Sequence, residues 1–149
     1  MQGVQRHYSE IFLHVTWHCL ESRPLLHGEI ERETHGFIEN YCGKHEGVYY
    51  LASGGTDTHV HLAIQIDPVV CISEFIGKVK GSSAYSMNKQ FGKNTLEWQR
   101  GYGVVSFSAR HLEAIKQYIV NQREHHQKGT VRETLEKIAM EIGFTDQAR

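Results

Sequence analysis

The stretch that decides the fold of this chain reads Asp57-Thr58-His59-Val60-His61-Leu62-Ala63-Ile64-Gln65-Ile66. Apolar residues fill its even positions from 60 to 66, and small or polar ones alternate with them, which is the period of two expected of a β-strand. His59 and His61 therefore lie on one face, with backbones roughly 6 to 7 Å apart, and their rings can bind one divalent ion. The alternative is a solvated strand face on which both histidines are only polar residues.

A second strand with the same period precedes this one, from Glu10 to Cys19. Its two faces alternate as follows: Ile11, Leu13, Val15 and Trp17 against Phe12, His14, Thr16 and His18. The first set predicts a buried face. If the two strands are neighbours in a sheet, the second set adds His14, Thr16 and His18 to the face that carries the histidine pair.

The rest of the chain divides into alternating helices and strands. Periodicity and glycines predict a helix over 28–44, a short strand over 48–52 and a turn at Gly54-Gly55. After the histidine strand they predict a helix from Ser73 to about Phe91 and a strand over 102–107. Two helices follow, one capped by Ser108 and a last one from the capping box Thr130-Val131-Arg132-Glu133 to Gly143. The order β-α-β-β-α-β, followed by two helices, is that of an α+β fold, the ferredoxin-like or RRM-like split β-α-β sandwich. It predicts an antiparallel sheet with helices on one face, an open face opposite, and the first strand and the histidine strand as central neighbours.

Length and charge bound the class of protein. The 149 residues fit a single domain over 1–149, in which 129–149 form a C-terminal helical extension. Lys and Arg number 16 and Asp and Glu 17, so the overall charge recruits neither nucleic acid nor membrane. Between residues 78 and 100, however, the sequence has five basic residues and one acidic residue. These basic residues predict a DNA-binding surface; the alternative is an ordinary solvated helix. The five residues are Lys78, Lys80, Lys89, Lys93 and Arg100.

The cysteines and the hydropathy of the chain bear on its compartment. Cys19, Cys42 and Cys71 are odd in number and widely spaced, which favours reduced thiols in the cytoplasm. The sequence has no signal-peptide pattern, and no apolar run approaches the roughly 18 residues that a membrane helix requires. We therefore expect a cytoplasmic protein that has no membrane partner.

A tyrosine near the end of the domain is the candidate nucleophile. Tyr118 and Gln122 are four residues apart in a predicted helix, so they lie on the same flank one turn apart. A tyrosine in a helical stripe is commonly a core residue, but this flank is polar in its other members. A phenol beside a metal and cationic neighbours ionises more readily and can act as a nucleophile.

These motifs together resemble a known family. His59-Val60-His61, followed by apolar residues, is similar to the HUH motif, in which a hydrophobic residue separates two histidines. With the segments Trp98-Gln99-Arg100-Gly101-Tyr102 and Tyr118-Ile119-Val120-Asn121-Gln122, the chain resembles the single-tyrosine HUH transposases of the insertion-sequence 200/605 family from about Tyr8 to His126. It departs from the family at one position, because Thr58 stands directly before the first histidine, where members commonly carry Asp.

The resemblance implies a complete reaction. His59 and His61 are then metal ligands, Gln122 the third ligand and Tyr118 the nucleophile, with Mg²⁺ or Mn²⁺ as the cofactor. The implied activity is cleavage and rejoining of single-stranded DNA at hairpin-bearing element ends, through a 5′-phosphotyrosine intermediate. It also implies a homodimer with shared active sites, in which the helix bearing Tyr118 docks against the histidine pair of the other subunit.

Other functions remain open from the sequence. Within the same class, the chain can be a domesticated nickase for repeated hairpins or a nickase for replication or transfer. A non-catalytic single-strand nucleic-acid-binding module has the same fold, but its usual aromatic pair is missing from the histidine face. A small zinc hydrolase built on His14, His18, His59 and His61 lacks an obvious carboxylate base beside the histidines and leaves Tyr118 unexplained.

Overall fold

The computed structural model of the protein describes residues 8–129 and 131–136, without the side chains at 123–125. Four strands and five helices follow one another in these ranges: β1 (Ile11–His18), α1 (Gly28–Lys44), β2 (Val48–Gly55), β3 (His59–Ile66), α2 (Ile72–Phe91), β4 (Gly103–Phe107), α3 (Leu112–Val120), α4 (Gln122–Lys128) and α5 (Glu133–Glu136). Of the predicted last helix, Thr130 and the part after Glu136, with its apolar Ile138 and Ile142, lie outside the described residues.

The four strands form one antiparallel sheet in the order β2-β3-β1-β4. This confirms the predicted α+β fold with β-α-β-β-α-β order, and it confirms β1 and β3 as central neighbours. Helix α1 has the predicted bounds. Helix α2 begins one residue before Ser73, and Cys71, which makes no side-chain capping hydrogen bond, precedes its first turn, so the predicted Ser73 cap is wrong.

Helices α1 and α2 pack on one face of the sheet, where the main core forms. The β1 residues Val15 and Trp17 are fully buried there, together with Ile38 of α1 and Ile76 of α2. Alternate residues of β3, such as Leu62, complete this core. The period of two in the strands and the helical spacing in α1 and α2 therefore correspond to a single buried layer.

The opposite face of the sheet is covered, whereas the sequence predicted it to be open. Helix α3 and the segment 131–136 lie across it. Ala52 and Ala63, which are paired between β2 and β3, leave room for Ile119 of α3 and Leu135 of α5 to pack between the layers. Small side chains on the strands thus explain why this face accepts a second layer.

The predicted turn at Gly54-Gly55 is wrong by two residues. Both glycines belong to β2 and pair with β3, Gly54 opposite His61 and Gly55 opposite Val60. A Cβ atom on Gly54 would lie 2.4 Å from the backbone oxygen of Ile119, far inside van der Waals contact. Gly54 is therefore required by the close approach of α3, which places α3 directly over the histidine pair.

No helix in the described part of the chain combines the length and the apolar character needed to cross a membrane.

Candidate active site

The histidine pair lies in the centre of the sheet. His59 and His61 of β3 pair in register with His18 and Thr16 of β1, and their rings point to the covered face. The ring of His61 stacks on that of His14 at 4.8 Å between centroids, and the ring of His59 stacks on that of His18 at 5.0 Å. This confirms the expectation that β1 contributes His14, Thr16 and His18 to the histidine face.

Each ring of the pair is supported through its Nδ1 atom. His61 Nδ1 lies 2.8 Å from His14 Nε2 and 3.2 Å from the hydroxyl of Thr16. His59 Nδ1 lies 3.0 Å from the hydroxyls of both Thr56 and Thr58. If Nδ1 of each ring carries the proton, these neighbouring atoms accept its hydrogen bond. The electron pair on each Nε2 atom then remains to bind a cation. Thr58 thus supports His59 directly.

Burial keeps His14 and His59 neutral. It is the main reason that the pKa values of His14 and His59 fall to about 3, and repulsion from His61 adds to the effect in both cases. A neutral His14 can accept the Nδ1 proton of His61, and a neutral His59 has a free electron pair on Nε2. His59 Nε2 makes no hydrogen bond to any described residue. The electrostatics of the pair therefore suit metal ligation.

Tyr118 lies against the histidine pair of its own chain. It is only 2% exposed, and its ring meets that of His61 edge-on at 6.0 Å between centroids. Its hydroxyl accepts a hydrogen bond from the backbone amide of Arg132 at 2.9 Å and donates one to Glu136. Burial and the bond to Glu136 raise the pKa of the phenol above its usual value of 10.

Gln122 lies one turn after Tyr118, at the start of α4. Its side-chain Nε2 donates to the backbone oxygen of Tyr118 at 3.1 Å. Its Oε1 is buried and has no hydrogen-bond partner within 8–129 and 131–136. A buried amide oxygen without a partner is costly unless a ligand satisfies it, so this atom fits the role of a metal ligand.

Two further residues complete the cluster. Glu136 Oε1 lies 3.2 Å from His61 Nε2, 3.6 Å from His59 Nε2 and 3.5 Å from His126 Nε2. One ligand atom from each of these four residues lies within 4.8 Å of the others. Although burial opposes ionisation of Glu136, the hydrogen bond from His61 and the attraction of its charge lower the pKa of the carboxyl to about 2.

The sequence contains a signal for only one of these two residues. His126 follows Gln122 by four positions and Tyr118 by eight, so it lies on the same flank of a helical segment. Glu136 lies beyond Gly129, and only the tertiary structure returns the chain to the histidines there.

The predicted basic surface lies elsewhere. Helix α2 packs on the sheet face opposite His59 and His61, and this helix carries Lys78 and Lys89, both exposed, with Lys78 paired to Glu74 at 2.9 Å. Lys80 is partly buried and donates to the backbone oxygens of residues 99 and 101, each at 2.8 Å. The two other predicted residues, Lys93 and Arg100, are exposed in the loop after α2.

Comparisons with known proteins identify relatives of this chain. The family model described as "Transposase IS200 like" matches residues 7–122. The transposase for insertion sequence element IS200 of Salmonella typhimurium is 27% identical over 130 residues, which cover 78% of this chain and 84% of that protein, and the transposase of the same element in Salmonella typhi matches to the same extent.

Two solved structures share the fold. A putative transposase from Deinococcus radiodurans superposes with a TM-score of 0.64 at 23% identity, covering 82% of this chain and 98% of that chain. A REP-associated tyrosine transposase bound to a REP hairpin superposes with a TM-score of 0.58 at 14% identity, covering 88% and 76% of the respective chains. Because the family model spans most of its length, this chain belongs to the family of IS200-like transposases.

Proposed function

We propose that this transposase cleaves and rejoins single-stranded DNA at hairpin-bearing ends, with Tyr118 as the nucleophile and with His59, His61 and Gln122 as ligands of a divalent metal ion. One observation carries the proposal. The carboxylate of Glu136 accepts from the Tyr118 hydroxyl on one oxygen and faces the Nε2 atoms of the histidines with the other. Nucleophile and ligands thus converge on a space that holds one small anion, as a scissile phosphate requires.

The residues present fit a divalent cation. The Nε2 atoms of His59 and His61 are directed at one space, and the buried Oε1 of Gln122 has no partner within the described ranges. The amide oxygen, together with water and phosphate oxygens, suits Mg²⁺ or Mn²⁺, and imidazole nitrogens favour a transition ion such as Mn²⁺. A bound ion supplies charge neutralisation at the phosphate oxygens.

The chain itself supplies the nucleophile and its alignment. The Tyr118 oxygen bonds to phosphorus as the bond from phosphorus to the 3′ oxygen breaks, so the 5′ phosphate remains on the tyrosine. The phenol proton is lost and the departing 3′ oxygen gains one, which leaves a free 3′-hydroxyl. Before DNA binds, the backbone amide of Arg132 donates to the phenol oxygen at 2.9 Å. Attack by a 3′-hydroxyl on the phosphotyrosine reverses the reaction and rejoins DNA without a nucleotide cofactor.

The DNA surface is proposed on the exposed cations. Lys78, Lys89, Lys93 and Arg100 are exposed and can pair with phosphates, whereas Lys80 is occupied by two backbone carbonyls. The REP-associated transposase with the same fold binds a REP hairpin. We expect a hairpin to bind here as well, with affinity that comes mainly from phosphate contacts and falls with salt.

The decisive test is covalency. The full-length protein is incubated with single-stranded DNA that carries the subterminal hairpins flanking its own gene, plus Mn²⁺, and the products are separated on a denaturing gel. We expect a protein–DNA adduct that Tyr118→Phe abolishes and Tyr85→Phe, at an exposed tyrosine of α2, retains. An undiminished adduct in folded Tyr118→Phe protein would exclude Tyr118 as the nucleophile.

The metal role has its own test. We expect His61→Ala to abolish the adduct while hairpin binding persists, because phosphate contacts elsewhere dominate affinity. Gln122→Ala should retain more activity than His61→Ala, since water can replace one ligand of a hard ion. Full adduct formation in excess EDTA would refute the metal role.

A further inference from the structure

We propose that Glu136 and His126 are also ligands of the metal centre, and that Glu136 is the ligand which a DNA phosphate replaces. The inference rests on the proposed function and deepens it, because it assigns the complete ligand set before DNA binds. It also gives the segment 131–136 a role in access to the site.

The spacing of the four ligand atoms supports the first part. Atoms at tetrahedral corners about 2.1 Å from one ion lie about 3.4 Å from one another. Glu136 Oε1 lies 3.2, 3.6 and 3.5 Å from the Nε2 atoms of His61, His59 and His126. These three separations are each within about 0.2 Å of the value for a shared ion, and all four ligand atoms lie within 4.8 Å of one another.

The position of Glu136 supports the second part. Segment 131–136, here called the covering segment, lies over the site. The side chains beneath it are almost fully buried: His59 is 4% exposed, His61 0% and Tyr118 2%. DNA therefore cannot reach them while the covering segment is in place. Glu136 belongs to that segment, and its carboxylate contacts both the phenol and the histidines. A phosphate that Tyr118 attacks must take this space, so the carboxylate has to leave it.

The contacts that hold segment 131–136 within the described residues include those of Leu135 and Arg132. The Thr16 hydroxyl donates to the backbone oxygen of Leu135 at 3.0 Å, and the Leu135 side chain packs beside Tyr118. The guanidinium of Arg132 lies 5.4 Å from the centre of the Tyr118 ring. The histidines of β3, by contrast, belong to a central strand. Replacing Glu136 by a phosphate therefore disrupts far less of the fold than replacing His59 or His61 would.

The ligand set also has a consequence for the ion. With the amide oxygen of Gln122, the set has three imidazoles, one carboxylate and one amide, and its three nitrogen ligands favour first-row transition ions over Mg²⁺. Cobalt(II) is a suitable probe because its visible absorption reports coordination number and donor type. It can be titrated into the full-length protein without DNA, so the measurement does not depend on cleavage.

We expect Glu136→Gln and His126→Ala each to weaken Co²⁺ binding at least tenfold and to change its visible spectrum. Glu133→Gln, at an exposed acid in the same helical turn, should bind Co²⁺ like the parent protein. Glu136→Asp keeps the carboxylate and provides a second variant if Glu136→Gln does not fold, and it should bind more tightly than Glu136→Ala. A Co²⁺ affinity of Glu136→Gln or His126→Ala within twofold of the parent, with folding verified by circular dichroism, overturns that residue's assignment as a ligand.

The exchange is tested with inorganic phosphate on the Co²⁺-loaded proteins. We expect phosphate to bind at least tenfold more tightly to Glu136→Gln than to the parent, because no carboxylate has to be displaced. Equal phosphate affinities overturn the replacement step. Loss of the DNA adduct in Tyr118→Phe tests the proposed function, and loss of Co²⁺ affinity in Glu136→Gln or His126→Ala tests this inference, so failure of one and failure of the other give different results.

Discussion

Gly54→Ala tests the placement of the proposed nucleophile without changing Tyr118 or a proposed metal ligand. Gly54 is in β2, and its Cα faces the last turn of α3, the helix that carries Tyr118. A methyl group there would lie 2.4 Å from the backbone oxygen of Ile119 and 3.2 Å from its carbonyl carbon. Because both atoms are backbone, a change of rotamer cannot relieve the overlap.

The size of the effect follows from this distance. Ordinary contact begins near 3.4 Å, so the end of α3 must move away from the sheet by about 1 Å. Overpacking of this kind costs about 1–3 kcal/mol of stability. A displacement of about 1 Å at a reacting group can lower a rate roughly 10²-fold. We therefore expect a folded, destabilised protein whose rate of adduct formation falls by about two orders of magnitude.

The assay combines unfolding and single-turnover cleavage. Urea unfolding gives the change in free energy, and the adduct rate is measured at a temperature where both proteins are fully folded. Gly36→Ala in α1 is the matched control, because a methyl group there meets no atom within 4 Å and should stabilise the helix by about 0.5–1 kcal/mol. Its adduct rate should equal that of the parent.

Gly54 does not control the position of α3 if Gly54→Ala unfolds at the same urea concentration as the parent and forms the adduct within threefold of the parent rate. Equal stability would mean that α3 accommodates the methyl group without cost. An equal rate would mean that the position of Tyr118 does not depend on the contact between α3 and β2.

Three further outcomes follow from the described contacts. Lys80→Met should destabilise the fold by about 1–3 kcal/mol, since two partly buried carbonyls lose their donor, as urea unfolding can check. Lys89→Met should leave stability within about 0.5 kcal/mol and weaken hairpin binding, as urea unfolding and filter binding can check. Because the pKa of buried His14 is about 3 in the folded protein and about 6.5 in the unfolded chain, the unfolded chain binds more protons in this interval. Stability should fall as the pH drops from 7 to 5, by about 2 kcal/mol for each independent histidine of this kind, and a flat profile would contradict this. Mixing His61→Ala with Tyr118→Phe under verified subunit exchange restores cleavage if sites are shared between subunits, and leaves it absent if each Tyr118 serves its own chain.

The sheet and its first layer of helices were predictable because local periodicity determines them. The alternation in β1 and β3 places their apolar residues on one face whatever the rest of the chain does. Helix α1 starts at Gly28 and ends at Lys44 as its spacing indicates. The histidine pair was predictable for the same reason, since a period of two fixes which side chains share a face.

The second layer was not predictable from the same patterns. The Gly54-Gly55 pair has the composition of a turn, but both residues extend β2 because α3 needs the space above Gly54. This is a tertiary requirement that no local window contains. The open face expected of the sheet was wrong for a related reason, because Ala52 and Ala63 carry no sign in the sequence that a helix packs on them.

The division between predicted and unpredicted ligands has a functional meaning. His59 and His61 come from a central strand whose geometry is fixed by two neighbouring strands, so they form the permanent part of the site. Glu136 comes from a short segment across the entrance, and its place depends on a few tertiary contacts. A site that must exclude water and other anions before DNA arrives, and then admit a phosphate, needs one group that is easily moved. Ligands that hold the ion therefore belong on regular structure, and the one that gives way belongs where local sequence patterns are weakest.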